Sequence, residues 1–239
     1  MALAATRWAR GRRVDHDFGL MTAPSALHKL MTWLSPAFPV GTFAWSTGLE
    51  TAIADGRVSD STTLQNWIAG NLAHGGLRTD AIFLAQAWHA ADPARLRDVA
   101  DFCLALTPAV ERRAETLATG DAFIIAAAAW PSEALRRLPS PCPYPIVVGA
   151  LAAAEAIPLE ATLIGLITAA VHTQISVAVR LVPLGQTAGL RVMAALEAQI
   201  VALAATAATA TLEEIGGIAY ATDIAQMRHE LLEPRIFRS

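Results

Sequence analysis

VVGALAAAEAIPLEATLIGLITAAVHTQISVAV, residues 147–179, decides the fold class. Its apolar positions recur at helical spacing, and Pro158 divides it, because a proline inside a helix removes an amide donor and clashes with the preceding turn. The reading is two helices rather than one. Between Glu160 and Arg180 no formal charge occurs, which raises the question of a membrane span. Thr168, His172, Thr173, Gln174 and Ser176 make the later part of that stretch too polar to face lipid, so it reads as a helix buried in protein.

Outward from this pair the pattern stays helical. Upstream, PSPCPYP at residues 139–145 places four prolines in seven positions, a connection between two helical halves. Leu64, Trp67, Ile68 and Leu72 share one helix face, entered through cap-forming residues at 59–63 and stopped by Gly75 and Gly76. Asp92 followed by Pro93 starts another helix, with Leu96, Val99, Ala100 and Cys103 inward. Residues 110–130 read as a long helix ended by Pro131. Downstream, residues 192–211 and 221–232 read as two more. Strand-like alternation is scarce, and Asp55-Gly56 reads as a helix end rather than a hairpin turn. The expectation is an all-α protein of about eight to ten helices, with residues 22–239 as the domain. Residues 1–21 read as a disordered extension, or as sequence ahead of a start at Met21.

Composition narrows the function. Of 239 residues 54% are apolar and 16% charged, and the net charge of −3 lacks the basic footprint of a nucleic-acid binder. Lys29 is the only lysine, so neither a Schiff-base lysine in the body of the fold nor a P-loop is available. Two distant cysteines point to a reduced, cytosolic protein.

The stretch RLVPLGQTAGLR at 180–191 invites a phosphate-loop reading. A Walker motif needs Lys-Ser or Lys-Thr after the second glycine, and Leu190-Arg191 stand there. The plainer reading is a helix break at 183–185, with Gln186 and Thr187 capping the next helix. His229-Glu230 opens like a zinc-protease helix, but position 233 is Glu233, so the second histidine is missing. A small metal-dependent hydrolase built on His229 and Glu230 is the catalytic alternative. Glu111 with Glu115, and Glu213 with Glu214, read as solvated helix faces, and a mid-helix His172 as a hydrogen-bonded core or interface residue. No nucleophile or metal constellation stands out.

Two segments resist a plain reading. SPAFPVGTFAWSTGLE at 35–50 is a long loop carrying Phe38, Phe43 and Trp45, which either plug the core or anchor a partner. EPRIFRS at 233–239 sets Ile236 and Phe237 between Arg235 and Arg238, a pattern suited to a docking peptide that orders on binding.

Four blocks, in order, resemble the urease accessory protein UreF family: SPAFPVGTFAWSTGLETAIADGRV at 35–58, ERRAETLATGDAF at 111–123, RLVPLGQTAGLRVMAAL at 180–196 and DIAQMRHELLEPRIFRS at 223–239. The chain departs from the family pattern near Trp45, where a Tyr or His is common, and at LATG, where a glutamine-containing run is usual. The resemblance implies an all-α, cytoplasmic, non-catalytic protein, commonly a homodimer, without a tightly bound cofactor or a membrane anchor. It implies binding to a UreD-type accessory protein (UreH in some systems) and recruitment of the UreG-type GTPase that delivers nickel to apo-urease. It places the GTPase-recruiting arginine at Arg235, beside Phe237, and a contact aromatic at Phe43 or Trp45. Glu50 is either a contact residue or a first-turn acid favoured by the helix dipole. The block holding Gln186 and Thr187 becomes a signature for a helix bend and a dimer or partner surface.

Overall fold

Polar caps and prolines set the boundaries of the helices. Asp60 accepts the Thr63 amide and closes a capping box, Asp92 accepts the Arg95 amide ahead of Pro93, and Ser132 accepts the Ala134 amide. Each satisfies an amide that a helix start leaves without a partner. The computed structural model describes residues 23–239, so the expected extension over 1–21 lies outside the described residues.

Among the described residues the chain forms eleven α-helices and no strand. They are α1 (Pro24–Trp33), α2 (Leu49–Ala54), α3 (Ser61–His74), α4 (Gly76–Trp88), α5 (Pro93–Ala105), α6 (Val110–Ala127), α7 (Glu133–Arg137), α8 (Tyr144–Ala154), α9 (Leu159–Leu181), α10 (Gln186–Thr209) and α11 (Tyr220–His229). The fold is all-α. Without the two shortest pieces, α2 and α7, nine helices remain, within the expected eight to ten.

Helix α4 runs through the middle and packs against α3, α5, α8, α9 and α10. Phe83, Leu84 and Ala85 on it are fully buried. Its closest neighbour is α8, and Gly149 makes that approach possible: a Cβ there would lie 2.3 Å from the Leu84 carbonyl oxygen. Phe38, from the long loop, plugs the core beside Phe123 at 5.1 Å between ring centroids, and Trp33 meets Phe123 edge-on at 5.7 Å.

The decisive stretch splits as expected, with Pro158 capping α9. Helices α9 and α10 are both long and apolar enough to cross a membrane by length and composition alone, yet half of the apolar window of α9 is buried within the chain. Helices α6 and α11 end earlier than expected, at Ala127 and His229, and the start of α10 also differs. Helix α10 begins at Gln186, so Gln186 and Thr187 are its first two residues and Gly185 occupies the cap position without a side-chain cap bond. The apolar count that placed the start at 192 overlooked a first turn of polar and small residues. His172 faces outward, not into the core.

Candidate functional site

The long loop and the C-terminal segment meet on one side of the molecule. After a turn at Thr42–Ala44 the loop sends its two aromatics opposite ways: Trp45 is buried, whereas Phe43 is 66% exposed. The loop then turns into α2 through Thr47 at φ 53° and Gly48 at φ 78°. The left-handed region is costly for a β-branched residue, so Thr47 holds strain at this corner. At Gly48 a Cβ would lie 2.8 Å from the Gln226 amide nitrogen, and only glycine admits both that backbone angle and the approach of α11.

Glu50, in the first turn of α2, is 5% exposed. Its carboxylate accepts the backbone amides of Ile236 at 2.7 Å and Phe237 at 3.0 Å, and it faces His229 Nε2 at 2.9 Å. The ring of His229 is completely buried, and its Nδ1 lies 2.6 Å from Glu111 on α6. The other oxygen of Glu111 accepts Arg235 Nη1, also at 2.6 Å. An imidazole carrying both protons donates to both carboxylates at once, whereas a neutral ring donates to one. Hydrogen bonds of this charge-assisted kind are about twice as strong as neutral ones.

Beyond Arg235 the chain is fastened residue by residue. Phe237 is buried, with the Arg180 guanidinium 5.7 Å from its ring centroid. Arg180 also donates to the Phe43 carbonyl at 3.2 Å. The Arg238 amide donates to the Ala44 carbonyl at 2.9 Å, while its guanidinium stacks 4.6 Å from the Trp45 ring. Both the amide and the hydroxyl of Ser46 donate to the Ser239 carbonyl. The segment is therefore ordered on its own chain, where the sequence reading expected order on binding a partner.

Under the Ser239 side chain lies a buried ionic cluster. Arg112 donates to Asp80 and lies 3.4 Å from Glu115, which in turn accepts the hydroxyls of Thr47 and Ser239 at 3.3 Å. Burial pushes the carboxyls of Asp80 and Glu115 up, with Arg112 opposing it. Burial works against the charge on Arg112, but the two carboxylates outweigh it and its pKa is raised. The cluster borders a cavity of about 740 Å³ between α1, the loop and α9, edged by Met31 and Phe43. Trp33 Nε1, Asn71 Nδ2 and Gln174 Oε1 line it or lie beside it, buried and without a partner among the described residues.

Helix α11 is built inside out. Thr222, Ala225, Gln226 and His229 are buried, and all but the alanine are polar. Tyr220, Ile224 and Met227 face solvent at 71%, 46% and 47% exposure; Leu231 just past its end is at 85% and Ile236 at 74%. Tyr220, Ile224, Met227 and Leu231 thus form an apolar stripe at helical spacing on the outer side of this helix.

The UreF family model matches residues 58–197. A urease accessory protein UreF of Agrobacterium fabrum is 46% identical over 216 residues, which span 90% of this chain and 97% of the relative. One from Rhodopseudomonas palustris strain BisA53 is 46% identical over 233 residues, 93% of this chain and 98% of its own. One from Bradyrhizobium diazoefficiens is 44% identical over 223 residues, 90% and 92%.

The chain belongs to the UreF family. Its role is that of a urease accessory protein. The residues singled out from sequence fall into three groups. Glu50, Arg235, Phe237 and Trp45 come together at the docked segment, Phe43 stands at its edge, and Gln186 and Thr187 open α10 on an exposed turn. Between those last two and Arg180, the RLVPLGQTAGLR stretch makes a helix-to-helix corner, with Gly189 letting α10 close on Ile175 of α9. Sequence reading missed Glu111 and Glu115, and it considered His229 only for the hydrolase alternative. The two glutamates read as solvated, yet their side chains are only 14% and 12% exposed. The i,i+4 spacing of this acidic pair around Arg112 was the one available signal, and it is equally common on solvent faces. For the hydrolase alternative, both nitrogens of His229 face carboxylates, Glu230 is exposed, and no group of three metal-binding side chains gathers among the described residues.

Proposed function

We propose that this chain is the adaptor of urease maturation: it binds a UreD-type (UreH-type) accessory protein and recruits and regulates a UreG-type GTPase, which delivers nickel to apo-urease. Nickel is cargo of the assembled complex, and the chain itself keeps no tightly bound cofactor. It works in the cytoplasm as a homodimer, with no nucleic acid or membrane partner. The observation that carries the reading is the docked C-terminal segment. Arg235 is held by Glu111 at 2.6 Å while its side chain stays 45% exposed, so a partner carboxylate can reach a guanidinium that is already oriented. The apolar outer stripe of α11 next to it supports a protein partner for the same side, and the name of the relatives supports urease as the beneficiary.

The test is co-purification of the full-length chain and an Arg235→Ala variant with the UreD-type and UreG-type proteins of the same organism. The adaptor reading expects the wild type to bridge both and the variant to keep the UreD-type protein but lose the GTPase. Capture of neither partner by the wild type, with nickel and GTP present, would refute it.

A further inference from the structure

Little apolar area holds the last residues in place. Of the segment 235–239 only Phe237 inserts an apolar side chain, while Ile236 points outward and Leu231, before the turn, is the most exposed large apolar side chain among the described residues. What fastens the segment is mostly polar: Glu50 on α2 and Glu111 on α6 take Arg235, Ile236 and Phe237, while Ala44, Ser46 and Glu115 hold Arg238 and Ser239. The carboxylates of Glu50 and Glu111 would repel one another across the same buried space, and the ring of His229 stands between them with one nitrogen on each. His229 belongs neither to the segment nor to the two helices that grip it. It stands at the end of α11, six residues before Arg235, so one ring ties α2, α6 and α11 together and sets both acceptors at the angle the segment needs.

We propose that His229 is the positioning residue for the C-terminal segment, which docks or releases as one unit on an otherwise folded body. The presentation of Arg235 is then set by this ring and its two carboxylates. The functional meaning of that presentation rests on the adaptor reading, but the docking itself does not. Segments held by few buried apolar contacts open locally at far lower cost than the core. Removing the ring takes away the group that ties the two carboxylates together and leaves the like charges facing, so the segment should release first.

The experiment is amide hydrogen exchange on the full chain, comparing wild type with His229→Ala and Glu111→Gln. The probes are the amides of Ile236, Phe237 and Arg238, with the α4 amides of Phe83 and Leu84 as the measure of the core. In His229→Ala the three segment amides should lose protection together, by roughly ten- to hundredfold, the range of one lost charge-assisted hydrogen bond. The α4 amides should keep theirs. Unchanged protection of the segment overturns the proposal, and so does a loss shared equally with α4, which would make His229 an ordinary core residue. Glu111→Gln keeps the acceptor and the shape, so it tests the same point if the alanine variant does not fold. A smaller loss confined to the same three amides supports the positioning role; no loss overturns it. GTPase capture is read on the same samples. Loss of segment protection with undiminished capture upholds the positioning role and overturns the use the adaptor reading makes of the segment.

Discussion

Replacing Glu50 with glutamine separates two physical roles for one residue by magnitude. If Glu50 serves only as a first-turn acid of α2, its charge contributes about 0.3–1 kcal/mol through the helix dipole. In the structure it accepts two backbone amides and faces the His229 ring while almost fully buried. Glutamine has nearly the same volume, so no cavity forms. What changes is that charge-assisted bonds, worth about 1.5–3 kcal/mol each, become neutral ones of about 0.5–1.5, a loss of about 1 kcal/mol per bond. The amide NH₂ must also turn a donor toward one of three donors, which forfeits that bond outright. The sum is about 4 kcal/mol, or a fall in Tm of roughly 8–16 °C for a chain of this size. Urea unfolding and thermal melts of wild type and Glu50→Gln measure it. Local release of residues 235–239 sets a ceiling, because the fold cannot lose more than the docking of the segment is worth. A smaller global loss is therefore accepted only with full loss of protection at Ile236 and Phe237. A Tm within about 2 °C of wild type with those amides still protected would refute the tail-acceptor role and leave the dipole role standing.

Three further outcomes follow from geometry elsewhere in the molecule. Gly70 and Gly149 both lie inside helices, but a Cβ at Gly70 meets nothing within 4 Å while one at Gly149 meets the Leu84 carbonyl at 2.3 Å. Thermal melts should show Gly70→Ala more stable by about 1 kcal/mol from helix propensity, and Gly149→Ala less stable by about 1–3 kcal/mol despite the same gain. For Glu115, burial raises the carboxyl above its ordinary 4.5, so the folded state binds a proton that the unfolded state has already released. Wild-type stability therefore falls as pH rises from the ordinary carboxylate range to the raised folded value. Glu115→Gln removes this contribution, and its stability relative to wild type should be higher at pH 7.5 than at pH 5 in urea titrations. Met227→Asp and Leu231→Asp, on the outer side of α11, should change stability by no more than about 0.5 kcal/mol yet abolish capture of the UreD-type protein.

The helices were legible because local chemistry and burial agree along most of the chain. Asp60, Asp92 and Pro158 each do at their helix ends what their side chains predict, and Leu64, Ile68 and Leu72 point inward as their spacing requires. Boundaries slipped where the local signal was weak. Gln186 and Thr187 lie in a helix because α10 packs on α9 through Gly189, a tertiary cause that no propensity carries. The aromatic loop was legible only as a choice, since period and composition do not tell a plug from an anchor. Phe38 and Trp45 take the first role and Phe43 is left outside, a division set by the left-handed turn at Gly41 and by what each ring meets.

The docked segment was least legible, for a reason that bears on its use. Glu50, Glu111 and His229 are far apart in sequence, and nothing in the separate reading of each shows that they meet. Their burial is affordable only because they satisfy one another: an unpaired carboxylate at any of these positions would cost several kcal/mol. The same trade inverts α11. His229 must face inward to complete the network, and Tyr220, Ile224 and Met227 lie on the outer side of the same helix. A sequence free to optimise the isolated chain would place polar residues at those positions without disturbing a single bond to Glu50 or Glu111. Nothing among the described residues explains the apolar stripe, and it lies close in the chain to Arg235, which Glu111 holds at the surface. Under the adaptor proposal this geometry would bring the two partners to the same side of the molecule, one along α11 and the other at Arg235.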